Sequence, residues 1–393
     1  MKLPIYMDNH ATTPLDPGVL EEILPCFTRD FGNPESTSHS LGRTAETLVE
    51  KARQRIASLI SARAEEIIFT SGATESNNLV LKGIAEKRGH VITVVTEHKS
   101  VLDPCRFLER SGCEITYLRV GKDGLINLED LKRAITGKTI LISVMMANNE
   151  IGVIQPMEAI GKITQEKGIL FHSDATQAVG RIPVNVNVLG VDFISFSAHK
   201  MYGPKGIGAL WIRKKQPKIR LVPQMHGGGQ EQGIRSGTLN VPAIVGFGKT
   251  AQIAEACLPK EMKRLEQLRS RLLRCFQSEL DEVFVNGSLE QRLPGNLNLC
   301  FRHVEAEAIL LALQDEIALS TGSACASART EPSHVLKALG LAPEDALSSL
   351  RFGLGRFNTE EDVDMAVTRV SAVVKRLRAM REIPSIKKVR HQL

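Results

Sequence analysis

Phe193-Ile194-Ser195-Phe196-Ser197-Ala198-His199-Lys200, followed by Met201-Tyr202-Gly203-Pro204-Lys205-Gly206, is the stretch on which the reading of this 393-residue chain turns. From Val191 to Phe196 it is apolar and β-prone. It then gives way to small and polar residues, a lysine, and a turn built on Gly203, Pro204 and Gly206. A lysine at the end of a buried strand loses hydration around its ammonium. Desolvation lowers the pKa of such an amine and frees a nucleophile, which is what imine formation with an aldehyde cofactor requires. A surface lysine after an edge strand would read the same in these residues alone.

On either side, strand and helix patterns alternate. Ile67-Ile68-Phe69 reads as a strand that turns through Thr70-Ser71-Gly72-Ala73-Thr74-Glu75 into a helix. Strands are predicted over 91–96, 114–120, 139–146, 169–172, 191–196 and 207–212, with helices over 41–60, 128–135 and 156–168 and another opening at Glu97-His98-Lys99-Ser100. The resulting fold class is α/β: a large domain with a mostly parallel seven-stranded sheet covered by helices, plus a smaller α+β domain. The large domain is expected over 15–250. The small one is expected to combine 1–14 with 251–393, beginning with a long helix over 251–280 and ending with one over 360–381. In parallel sheets ligands gather beyond the carboxyl ends of the strands. Thr74, His98, Asn149, Asp174, Gln177, Ser197, His199 and Lys200 all fall on that rim.

Composition narrows the function. With 42% hydrophobic and 24% charged residues the chain is ordinary globular protein. The net charge of +6 is spread along the sequence, and aromatic residues make up only 4%, which argues against nucleic-acid stacking platforms. Seven cysteines without a Cys-x-x-Cys pair point to a reducing compartment and free thiols. No signal-peptide core or bilayer-length apolar run is present, so a cytoplasmic location without membrane contact is expected. The histidines and Cys325 lack metal-ligand spacing, and no metal is expected.

Pyridoxal 5'-phosphate would need an amine, an anion for its ring nitrogen, a stacking face and phosphate donors. Lys200 offers the amine and Asp174 the anion, although a lone Asp after a strand is equally a helix cap. Gln177 could donate to the ring hydroxyl. His98 could lie over the ring and shuttle protons, or simply cap a helix. Ala73 and Thr74 at a helix N-terminus, with Ser197 and His199, could hold the phosphate.

The residues Ser197-Ala198-His199-Lys200-Met201-Tyr202-Gly203-Pro204-Lys205-Gly206 resemble the lysine motif of cysteine desulfurases, fold-type I pyridoxal-phosphate enzymes of the class-V aminotransferase kind. So do Thr96-Glu97-His98-Lys99, Asn148-Asn149-Glu150-Ile151-Gly152, Asp174-Ala175-Thr176-Gln177, Asp8-Asn9-His10-Ala11-Thr12-Thr13-Pro14 and Phe31-Gly32-Asn33-Pro34. The loop Ser320-Thr321-Gly322-Ser323-Ala324-Cys325-Ala326-Ser327-Ala328 is similar to the longer catalytic loop of the housekeeping iron–sulfur-assembly branch.

The resemblance implies that free L-cysteine displaces Lys200 from the cofactor aldehyde and that Arg351, with Asn149, Ala11 and Thr12, holds the substrate. Lys200 and His98 then move protons, and the Cys325 thiolate takes the sulfur as a persulfide, releasing alanine. It further implies a homodimer in which Thr238 reaches the neighbouring subunit's phosphate, and an iron–sulfur scaffold or other acceptor protein for the sulfur. A selenocysteine lyase or an aminotransferase on the same scaffold are the alternatives. One departure stands out: Glu231-Gln232-Gly233 carries Gln232 where the family often has arginine.

Overall fold

In the computed structural model, residues 4–85, 89–216, 218–321 and 332–382 are described. The large sheet has seven strands. In spatial order they are Ile67–Thr70, Gly208–Ile212, Phe193–Ser197, Leu170–Asp174, Thr139–Ser143, His90–Val94 and Glu114–Leu118. All pair in parallel except Gly208–Ile212, which runs antiparallel to both neighbours. Val, Ile, Leu and Phe fill the central strands because both faces of the sheet are covered, so neither face of a central strand meets water. One face packs against Ser40–Leu59 and the first half of Val241–Glu279; the other packs against Ala73–Ala85 and Lys99–Arg110.

The helix Val241–Glu279 starts ten residues before the expected 251. Asn240 caps it by accepting from the Ala243 N–H, and Pro242 sits in its first turn. Gly246 and Gly248, which weaken a helical pattern, are there for contact: a Cβ on Gly248 would lie 2.5 Å from the Ala52 Cα of the neighbouring helix. Strands are also shorter than the apolar runs suggest, Thr139–Ser143 in place of 139–146, because the chain leaves the ladder to build the rim.

A second apolar core lies around the three-stranded antiparallel sheet of Val283–Val285, Asn296–Phe301 and Ser349–Gly353, covered by Glu360–Glu382 and the later half of Val241–Glu279. Ile5 and Met7 belong to this core, and the strand Ile5–Tyr6 pairs in parallel with Ile317–Ala318. The short helices His334–Ala338 and Pro343–Leu347 and the strand at 349–353 carry no clear sequence pattern and are settled by packing. Among the described residues no helix is long and apolar enough to cross a membrane.

Candidate active site

A cavity of about 500 Å³ opens where the strands Phe193–Ser197, Leu170–Asp174 and Thr139–Ser143 end. Of the rim residues singled out by sequence, Ala11, Thr12, Ala73, Thr74, His98, Asn149, Asp174, Gln177, Ser197, His199, Lys200 and Arg351 all line it. Thr238 does not: it is exposed on the loop before Val241–Glu279. Cys325 lies outside the described residues.

Lys200 ends a single 3₁₀ turn, Ala198–Lys200, that follows its strand directly. Its Nζ donates to the carbonyls of His10 (2.6 Å) and Ala11 (2.7 Å). Burial, then the nearby Arg181 and Arg351 charges, lower its pKa from 10.5 to about 7. An amine in that range is unprotonated in a sizeable fraction at neutral pH and is therefore a competent nucleophile.

Asp174 caps the adjacent strand. One carboxylate oxygen accepts from the Thr176 N–H (3.0 Å) and the other from the Asn77 amide (2.8 Å). Gln177 donates to the His10 carbonyl (2.9 Å). His98 is the N-cap of Lys99–Arg110, its Nδ1 accepting from the Ser100 N–H at 3.1 Å. Capping and a place on the cavity wall are therefore both true of it. Burial lowers its pKa from 6.5, and the nearby Asp174 carboxylate opposes that lowering.

At the opposite end, Ser71, Gly72, Ala73 and Thr74 bring the start of Ala73–Ala85 to the wall. The first N–H groups of a helix lack intrahelical partners and favour anions. Gly72 has φ of +155°, and a Cβ on Gly208 behind it would stand 2.6 Å from the Gly72 Cα, so backbone meets backbone there. Glu75 caps back onto the Ser71 N–H (2.7 Å) and pairs with Arg235 (2.8 Å). His199 touches the Thr12 hydroxyl (3.0 Å), and burial followed by Lys200 depresses its pKa to about 4, so it is a neutral donor.

Arg351 is 2% exposed. It donates from Nη1 to the Asn149 carbonyl (2.8 Å) and from Nη2 to Asp8 (2.6 Å), while its Nε–H has no partner in the protein. A buried arginine on a cavity wall, its guanidinium held in place by Asp8 and the Asn149 carbonyl, suits a carboxylate.

Several contributors were missed by sequence reading. Arg181, part-buried, donates from Nε (3.1 Å) and Nη2 (2.9 Å) to the Lys200 carbonyl and also bonds the Asn9 carbonyl. It lies seven residues past Asp174 in the run Gly180-Arg181, where nothing local marks it as interior. His10 is buried with Nε2 unpartnered, and burial followed by Arg181 holds it neutral. Asp8, Asn77 and Ser100 are the others; Asn77 follows Ser76 in a polar helix start that looks solvent-facing. Gln232, at φ of +61°, donates to the Glu65 carbonyl (2.9 Å) from an exposed position away from the cavity.

The donor set fits pyridoxal 5'-phosphate: an amine, an anion one strand away, an imidazole on the wall, and helix amides with hydroxyls at the far end. The wall also carries the buried Thr176 hydroxyl, which has no partner in the protein.

The chain belongs to the class-V aminotransferase family, whose description matches residues 5–365. Members of this fold that act as cysteine desulfurases use pyridoxal 5'-phosphate, which this cavity accommodates. Among individual relatives, the cysteine desulfurase IscS of Rickettsia rickettsii (strain Iowa) is 54% identical over 384 residues, covering 97% of this chain and 93% of that one. A solved NifS-like protein superposes with a TM-score of 0.88 at 37% identity, covering 95% of this chain and 100% of that one. A structure of SspA in complex with cysteine matches with a TM-score of 0.78 at 37% identity, covering 90% of this chain and 100% of that one.

Proposed function

We infer that this chain is a cysteine desulfurase that converts L-cysteine to L-alanine and passes the sulfur on as a persulfide. The observation that carries this reading is a part-buried amine with a lowered pKa, Lys200, that lines one cavity together with a carboxylate, Asp174, and a buried arginine, Arg351. The full-length identity to IscS cysteine desulfurases fixes the reaction class. Selenocysteine lyase or aminotransferase chemistry on this scaffold is disfavoured by that identity.

When bound, pyridoxal 5'-phosphate supplies an aldehyde and an electron-poor ring. The chain's residues supply the rest. Lys200 would hold the aldehyde, and its amine would be the base for the substrate's α-proton. Asp174, fixed by Asn77 and Thr176, would keep the ring nitrogen protonated, and Gln177 would donate to the ring hydroxyl. Ala73, Thr74, Ser197 and His199 would hold the phosphate. Arg351, with Asn149, Ala11 and Thr12 around it, binds the substrate carboxylate, and His98 moves protons. Cys325 receives the sulfur as its thiolate.

Two apolar cores support a division into a cofactor-binding domain, 15–250, and a domain of 1–14 with 251–393 that carries Cys325, with one helix running through both. The same reading makes the enzyme a homodimer in the cytoplasm. Thr238, exposed three residues beyond the Arg235–Glu75 pair at the phosphate end, is offered to the neighbouring subunit. The sulfur passes to an iron–sulfur scaffold or other acceptor protein.

The test is incubation with L-cysteine, measuring alanine and sulfide, for the parent chain and for Cys325→Ser. Borohydride reduction of the loaded enzyme followed by peptide mapping completes it. Label at Lys200 and loss of alanine production in Cys325→Ser are expected. No label at position 200 would refute the whole reading; unchanged alanine production in the variant would refute the sulfur-transfer half.

A further inference from the structure

Asp174 and His98 stand on different elements, yet an unbroken hydrogen-bonded chain joins them. The Asn77 amide nitrogen lies 2.8 Å from Asp174 Oδ2 and 2.9 Å from the Ser100 hydroxyl. That hydroxyl lies 2.8 Å from His98 Nδ1. Each link has a definite direction. A carboxylate only accepts, so it is the Asn77 NH₂ that faces it, and the second hydrogen of the same nitrogen goes to Ser100. With its oxygen occupied by that donor, the Ser100 hydroxyl turns its own hydrogen to Nδ1. The Ser100 backbone N–H points at Nδ1 as well, 3.1 Å away. Two donors aimed at one ring nitrogen leave it no hydrogen of its own. The imidazole therefore carries its proton on Nε2, which has no partner among the described residues and belongs to a side chain lining the cavity.

We propose that Asn77 and Ser100 are positioning residues that tie His98 to Asp174 and fix its neutral ring as the Nε2–H tautomer, so that His98 meets the cavity as a proton donor. This deepens the functional reading above and rests on it for the identity of the reaction. In that reaction the consequence is a division of labour. Lys200, with its weakened hold on a proton, is the base, while His98 can accept a proton only after an Nε2–H has been given away.

Asn77 is fully buried and its carbonyl oxygen has no partner, a cost that a residue selected only for packing would avoid. Both of its hydrogens are spent on the two groups it joins.

Protonating His98 at Nδ1 would turn the ring hydrogen against both donors, which adds to the burial that already lowers its pKa. The charged groups facing it are Asp174, which opposes that lowering, and Lys200, His334 and Lys99, which reinforce it. His334 is itself anchored by its Nε2 on the Glu97 carbonyl, 3.0 Å away. None of these groups reaches Nδ1, so the tautomer is set by Ser100 and Asn77.

The experiment is ¹⁵N NMR of the imidazole nitrogens in full-length, cofactor-free protein labelled at histidine, with His98→Gln used only to assign the signals. A neutral His98 with Nδ1 unprotonated and Nε2 protonated, titrating below 6.5, is expected. In Asn77→Ala and Ser100→Ala the midpoint should rise by about one pKa unit, and a share of the Nδ1–H form should appear. Ser100→Thr, which keeps the hydroxyl, should restore the parent spectrum and serves as the check if the alanine variants unfold. A parent His98 carrying its proton on Nδ1, or alanine variants indistinguishable from the parent, would overturn the proposal. Because no cofactor or substrate is present, failure to make alanine from cysteine would count against the functional reading alone.

Discussion

Replacing Arg181 with methionine should make Lys200 a stronger base. The native amine titrates near 7 against an ordinary 10.5, a gap worth ~5 kcal/mol of proton affinity. Burial is the largest cause and Arg181 the largest of the charges. The guanidinium is clamped on the Lys200 carbonyl, a lysine side chain's length from Nζ. At a separation on the order of 7 Å and an effective dielectric of about 20, the repulsion is ~2 kcal/mol, or between one and two pKa units. The assay is acylation of Lys200 in cofactor-free protein across pH, quantified by peptide mass spectrometry. The parent should show a midpoint near pH 7 and Arg181→Met one roughly one to two units higher. Arg181→Lys, which keeps the charge, should stay near the parent and separates electrostatics from loss of the clamp. A parent midpoint near 10, or an unmoved one in Arg181→Met, would refute the reasoning. The sign also fixes a stability trend. Because the unfolded chain holds this proton up to about pH 10.4 and the folded one releases it near 7, cofactor-free protein should gain stability from Lys200 as pH rises through that window.

Other outcomes follow from the same geometry. Arg351→Lys should cut kcat/KM for L-cysteine by about 10²–10³, measured as alanine release, because lysine cannot hold Asp8, the Asn149 carbonyl and a carboxylate at once. Glu231→Ala strips Arg53 of its buried partner (2.8 Å) and leaves the Phe69 N–H unsatisfied (2.6 Å). It should cost ~4–8 kcal/mol, seen by calorimetry as a fall in Tm on the order of 5–10 °C. Gln232→Arg should change stability by less than about 0.5 kcal/mol and leave alanine production as it was, since only one exposed contact, to the Glu65 carbonyl, is exchanged.

What could be read from sequence was whatever a strand end makes periodic. Apolar runs closing on polar residues placed Lys200, Asp174 and His98 on one rim because parallel strands all point their carboxyl ends the same way. Side chains that arrive by crossing the fold were not legible. Arg181 is reached through hydrogen bonds to Asn9 and Lys200, and Asp8 meets Arg351 across 343 positions. Neither leaves a local pattern. The early start of Val241–Glu279 was hidden because Gly246 and Gly248 imitate a loop while serving as close-packing points against Pro204, Ile23 and Ala52.

The strand Ile5–Tyr6 leaves the ribosome long before Ile317 and Ala318, with which it pairs. At about 5–20 residues per second the interval is roughly 15–60 s. Throughout it the segment with the His10 and Ala11 carbonyls, which anchor the Lys200 amine, has no strand to join and is held by the large domain through Gln177, Arg181 and the His199 carbonyl. The pocket is thus completed late: the wall that carries Lys200 can stand on large-domain contacts while Arg351, on the strand Ser349–Gly353, is still to be made.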